Sequence, residues 1–167
     1  MGIVHATQIA GMMYVLRNVV QMSAAYPVGI LADRFSHKGV LIGGYFLGGI
    51  TAALTGVAFY LKINDMYFIS CIFVCAGLYM ATQETIEPTV AASFVPKRSL
   101  EVCYGAMGTA NGVTKFISST LVGTIWTTIS ASLAFFSAGL LMGFGTLILI
   151  LFSIKDKTNA ERFPDMQ

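Results

Sequence analysis

Five stretches of this chain are each long and apolar enough to cross a lipid bilayer as a helix. They run over residues 2–25, 41–61, 66–87, 104–127 and 131–154. A helix rises about 1.5 Å per residue, so roughly 20 apolar residues traverse the hydrocarbon. There each helix pairs its own backbone N–H and C=O groups, and the linkers over 31–38, 62–65, 96–101 and 128–130 are too short to hold a soluble domain. Composition agrees. Of 167 residues, 56% are hydrophobic and 11% charged, where a soluble domain carries roughly a quarter charged residues. The expected fold is all-α: a polytopic membrane bundle of five transmembrane helices over 1–154, then a polar, frayed cytoplasmic tail over 155–167.

Loop charge sets the expected direction of threading. Arg34 and Lys38 lie in the first linker, Lys97 and Arg98 in the third, and Lys155, Lys157 and Arg162 in the tail. Only Lys62 lies in the second and fourth linkers together. Basic loops stay in the cytoplasm, so the N-terminus is expected outside and the C-terminus inside, in a plasma or inner cell membrane. A net charge of +2 is too small to point to nucleic acid. Cys71, Cys75 and Cys103 form no C-x-x-C pair and read as small apolar packing residues. No metal-ligand cluster, Ser/His/Asp set or phosphate-cradling loop is apparent, so neither an enzyme nor a cofactor is expected.

Charge inside the spans is scarce and therefore informative, because an ionisable side chain at membrane depth is costly. Arg17 lies near the middle of the first span and Lys115 near the middle of the fourth. Glu84 and Glu87 lie on the third, three residues apart and so on one face. Asn18, Gln21, Gln83 and Asn111 accompany them along the same helices, as interhelical glue in the first instance. Two readings stay open. Arg17 can pair with one glutamate and Lys115 with the other, as structure. Alternatively Glu84, Glu87, Arg17, Lys115, Asn18 and Asn111 handle a substrate or a coupling proton, with Glu84 nearer the midplane. Gly44-x-x-x-Gly48, Gly108-x-x-x-Gly112 and Gly139-x-x-x-Gly143 each put small residues on one helix face, which predicts close helix packing.

The first linker contains "GILADRFSHK", residues 29–38. It resembles the signature loop of the major facilitator superfamily, G-x-L-A-D-R/K-x-G-R/K-R/K. Gly29, Leu31, Ala32, Asp33, Arg34 and Lys38 match; Ser36 replaces the second glycine and His37 a basic residue. Pro27 and Gly29 are expected to help end the first span. Asp33 is expected to accept hydrogen bonds from the N–H groups of a neighbouring helix start, where the helix dipole favours an anion. Residues 83–126 are similar to the tenth and eleventh helices of such transporters, through Pro96, Lys97, Arg98, Tyr104, Gly105, Asn111, Gly112, Val113, Ser118, Ser119, Gly123 and Trp126. Lys115 stands where an acidic residue is expected.

The resemblance implies a partial major facilitator fold, helices eight to twelve of a twelve-helix transporter. It implies that the loop acts as a latch between halves, against the plainer reading of a topology-setting basic turn. It further implies secondary transport of a small solute, by symport or antiport and alternating access. The expected partners are the bilayer, a small-molecule substrate, and the missing N-terminal half or an oligomer partner. The alternatives are a non-transporting membrane interaction or regulatory protein derived from a half-transporter, and a small homo-oligomeric channel.

Overall fold

The computed structural model describes residues 3–162 and contains, among them, five α-helices and one short 3₁₀ turn. Helix α1 spans Ile3–Arg34, α2 His37–Tyr60, α3 Met66–Ala92, α4 Leu100–Thr128 and α5 Ala131–Arg162. The 3₁₀ turn, Lys97–Ser99, leads into α4. The five expected spans are all helical, and most of the helices overrun their expected ends. Met1, Gly2 and residues 163–167 lie outside the described residues. Helix α5 continues beyond the expected end of the fifth span, to Arg162.

Two overruns pass through proline. Helix α1 contains Pro27 and α3 contains Pro88. Each proline removes one backbone hydrogen bond, but a membrane helix tolerates this where neighbouring helices hold it. Beyond Pro27 the chain does not turn as expected. It stays helical to Arg34, because Ala32 is buried in a core formed with Leu41 of α2 and Ile86 of α3. The linker expected over 31–38 shrinks to Phe35 and Ser36.

Helix ends are satisfied by residues the sequence supplies. Ser36 caps α2 by accepting a hydrogen bond from the Gly39 N–H, and Asp65 caps α3 through Phe68 at 3.0 Å. The Ser130 hydroxyl accepts from the Leu133 N–H at the start of α5. At the end of α2, Lys62 takes the left-handed conformation, φ 53°. There Ile63 N–H bonds the Ala58 carbonyl and Lys62 N–H bonds that of Phe59, the paired bonds of a Schellman turn.

Helix α2 packs most closely on α5 and α3, and α1 packs on α3. Helix α4 meets α5 and, more lightly, α3, and none of its residues is buried. Of the five expected spans, three among the described residues, in α2, α3 and α5, are long and apolar enough by composition to cross a membrane. Helices α1 and α4 are as long but more polar: they carry Arg17, Asn18 and Gln21, and Asn111 and Lys115. A helix of that kind needs protein or water against its polar face.

The glycine pairs divide. A Cβ at Gly44 would lie 2.7 Å from Cβ of Thr82, and one at Gly48 would lie 2.7 Å from the Tyr79 ring, so this pair carries the close approach of α2 to α3. Gly139 sits in ordinary contact with Gly49 and Ala52, whereas Gly143, Gly108 and Gly112 face open space. Gly77, which belongs to no pair, makes the tightest backbone approach: its Cβ would stand 2.8 Å from the Arg17 carbonyl oxygen. Thr82 is buried and β-branched and cannot swing aside. Gly44→Ala is therefore expected to destabilise the fold by about 1–3 kcal/mol through overpacking. Gly108→Ala is expected to gain up to about 1 kcal/mol from helix propensity. Thermal unfolding of the two variants in one detergent measures the contrast.

Candidate functional site

The charged residues of the spans gather along α1, α3 and α4. On α3, Glu84 and Glu87 share a face with Gln83 one residue away. On α4, Met107, Asn111 and Lys115 recur every four residues and face the same region. Together they line a cleft of about 150 Å³ between α3 and α4. Pro88 also lines it, and its missing N–H is the one that would have bonded the Glu84 carbonyl. The cleft thus brings together four of the expected residues, Glu84, Glu87, Asn111 and Lys115.

The expected ion pairs do not form. Among the described residues, no contact within 4 Å joins Arg17 or Lys115 to a carboxylate. Glu84 accepts a hydrogen bond from the Gln21 amide at 2.5 Å. Gln21 is thus the interhelical glue expected of it, and it occupies the place expected for Arg17. Arg17 instead donates to the Asn18 side-chain oxygen at 3.3 Å and lies 5.0 Å from the centre of the Tyr14 ring. Asn18 in turn donates to the Tyr14 carbonyl at 2.8 Å, so it serves its own helix. Arg17 Nε and Gln21 Oε1 are buried with no hydrogen-bond partner.

Glu87 of α3 lies near Tyr45 of α2 and near Tyr79. The Tyr45 and Tyr79 rings meet edge to face at 6.2 Å. Tyr45 escaped the search of the sequence because it carries no charge at neutral pH. The available signal was that a half-buried tyrosine hydroxyl needs a partner.

The signature residues occupy the junction of α1 and α2. Gly29 faces Thr85 of α3, with 3.9 Å between its Cβ position and the threonine methyl. Ala32 is 1% exposed and belongs to the core, whereas Leu31 and Arg34 are exposed. Asp33 does not cap a helix start. It is exposed, and its Oδ1 lies 3.3 Å from Nε2 of His37, one turn on. Ser36 takes the cap because it directly precedes α2 in extended conformation, φ −179° and ψ 130°. Lys38 stands 5.0 Å from the centre of the Phe94 ring, a cation–π contact across to the end of α3.

Other cavities carry less chemistry. A cavity of about 640 Å³ between α2, α3 and α5 is lined by Phe59, Ile72, Phe73 and Phe135, with Lys62 and Asn64 at the turn. Among the described residues, no three His, Cys, Asp or Glu side chains come close enough to hold a metal ion.

The cap and the exposed pair make different demands. Ser36→Ala is expected to cost about 1 kcal/mol of stability through the lost N-cap. Asp33→Asn, which loosens only an exposed contact, is expected to cost well under that. Denaturant titration of both variants tests the ranking.

The Major Facilitator Superfamily profile matches residues 3–167. An uncharacterized MFS-type transporter of Methanocaldococcus jannaschii is 24% identical over 139 residues, covering 83% of this chain and 33% of the relative. The chain thus spans about a third of that protein's length. No solved structure matches the chain.

Proposed function

From the premise that the chain belongs to the major facilitator superfamily, we propose that it forms part of a secondary transporter that moves a small solute by alternating access. The observation that carries this reading is the α3–α4 cleft, where Glu84, Glu87, Asn111 and Lys115 converge on helices set in a bundle of membrane spans. Polar groups at that depth are costly unless they serve a solute or ion path. Transporter sites of this kind form near the midplane, where the two halves of the fold meet. On this reading Glu84 and Glu87 contact the solute or carry the coupling proton, and Lys115 and Asn111 complete the site. Arg17 and Asn18 stand on α1 within a turn of Gln21, the residue that bonds Glu84. The signature end, with Ala32 buried and Asp33 exposed, latches against the other half of the transporter during the cycle.

A second reading draws on α4. It has no buried residue, and Gly108 and Gly112 face open space. That face suits another membrane helix, so the chain could act by pairing with a partner without transporting. Uptake by reconstituted protein separates the two.

Loss of a hydrogen bond to a charged group costs roughly 1.5–3 kcal/mol, so Glu84→Gln is expected to lower the uptake rate about tenfold or more. If Glu84 carries the proton, exchange of preloaded solute persists while net uptake loses its pH dependence. Unchanged uptake in both Glu84→Gln and Glu87→Gln would reject the cleft as the site.

The proposed orientation places the N-terminus outside the cell and the C-terminus in the cytoplasm of a plasma or inner membrane, following the basic linkers. In a background lacking Cys71, Cys75 and Cys103, an impermeant thiol reagent is expected to label Asn64→Cys and not His37→Cys in intact cells. The opposite pattern reverses the orientation.

A further inference from the structure

A membrane protein that sets charges of both signs side by side within its spans normally lets them neutralise each other. This cleft does not. Glu84 is held by the neutral amide of Gln21, Glu87 lies near Tyr45, and Arg17 is held by the Asn18 oxygen and the Tyr14 ring. Lys115 lines the same cleft as both glutamates, yet no carboxylate lies within 4 Å of it among the described residues. Neutral partners orient a charge without cancelling it. The cleft therefore presents two carboxylates on the α3 side and a cation with the Asn111 amide on the α4 side.

We propose that the cleft binds a compact zwitterion. Its ammonium group would sit between Glu84 and Glu87, and its acid group against Lys115 and Asn111. This inference rests on the transport reading of the same cleft and deepens it by naming the solute's charge class. A simple cation would satisfy the glutamates but meet Lys115 unmatched. A simple anion would satisfy Lys115 and leave two carboxylates facing it. Only a ligand with both charges meets both walls. The volume of about 150 Å³ lies below the roughly 300–1,000 Å³ of drug-sized pockets, so the ligand is small.

The test uses the whole chain in lipid nanodiscs and three matched sets of probes. These are alanine with ethylamine and propionate, leucine with isopentylamine and 4-methylpentanoate, and γ-aminobutyrate with butylamine and butyrate. Binding is read from the concentration dependence of the thermal unfolding midpoint. At least one zwitterion is expected to bind at least about tenfold more tightly than both of its singly charged counterparts, the margin set by one added charged hydrogen bond. Lys115→Gln is expected to reduce the zwitterion to the level of its amine, and Glu84→Gln to the level of its acid. Lys115 is exposed and makes no contact that the fold depends on, so Lys115→Gln decides the matter even if Glu84→Gln fails to fold. Equal binding of an amine or an acid, or zwitterion binding unchanged by Lys115→Gln, overturns the charge class while leaving a solute site in place. No binding by any probe overturns the charge class and counts against the cleft as a solute site at all.

Discussion

Among the glycines, the tightest approach to a neighbouring backbone is at Gly77, where α1 crosses α3, and the polar cluster depends on it. A Cβ there would stand 2.8 Å from the Arg17 carbonyl oxygen. Lipid tails are as apolar as leucine, so membrane helices associate through van der Waals contact and interhelical hydrogen bonds rather than by escaping water. Both forces fall off steeply with distance. With α1 seated on Gly77, Gln21 one turn along α1 reaches Glu84 two turns along α3. Gly44 and Gly48 act likewise for α2, and Tyr45, between them in sequence, faces Glu87. Small residues at the crossings thus position polar residues that never touch those glycines.

The five helices divide by polarity in a way that follows the packing. Helix α2 joins α3 and α5 through extensive contacts, and these three are apolar enough to face lipid on their outer sides. Helices α1 and α4 are more polar and flank the polar cluster. Helix α4 is held at one end by an aromatic cluster, with Trp126 edge-on to Phe59 at 5.2 Å and to Phe135 at 5.6 Å. Elsewhere it has no buried residue. The cleft is therefore bordered by the least embedded helix of the bundle, where a change of shape disturbs the fewest packed contacts.

The signature segment shows how one stretch can serve both folding and surface. Ala32 turns inward against Leu41 and Ile86, and its small size lets the end of α1 lie close to α2 and α3. Asp33 and Arg34 turn outward on the same helical turn. The sharp chain reversal falls to Ser36, whose hydroxyl holds the first turn of α2. Replacing the usual glycine by serine at that position therefore gives the turn a helix cap.

Much of this was legible in the sequence because its cause is local. Span length follows from the helical rise and bilayer thickness. Glu84 and Glu87 share a face by their spacing alone. The helix ends past Pro27 and Pro88 were not legible, because a proline breaks a helix or is carried through it according to what packs around it. Nor were the partners of the charges. Coulomb attraction favours Arg17 with a glutamate, but pairing also needs the side chains to meet. The crossing of α1 and α3 brings Gln21 to Glu84 and leaves Arg17 with its own helix. The sequence by itself determined a helical membrane bundle and which residues are costly to bury in it. Only the tertiary structure decided that Glu84, Glu87 and Lys115 face one cleft without pairing, because contact between helices is set by which small residues let two backbones meet.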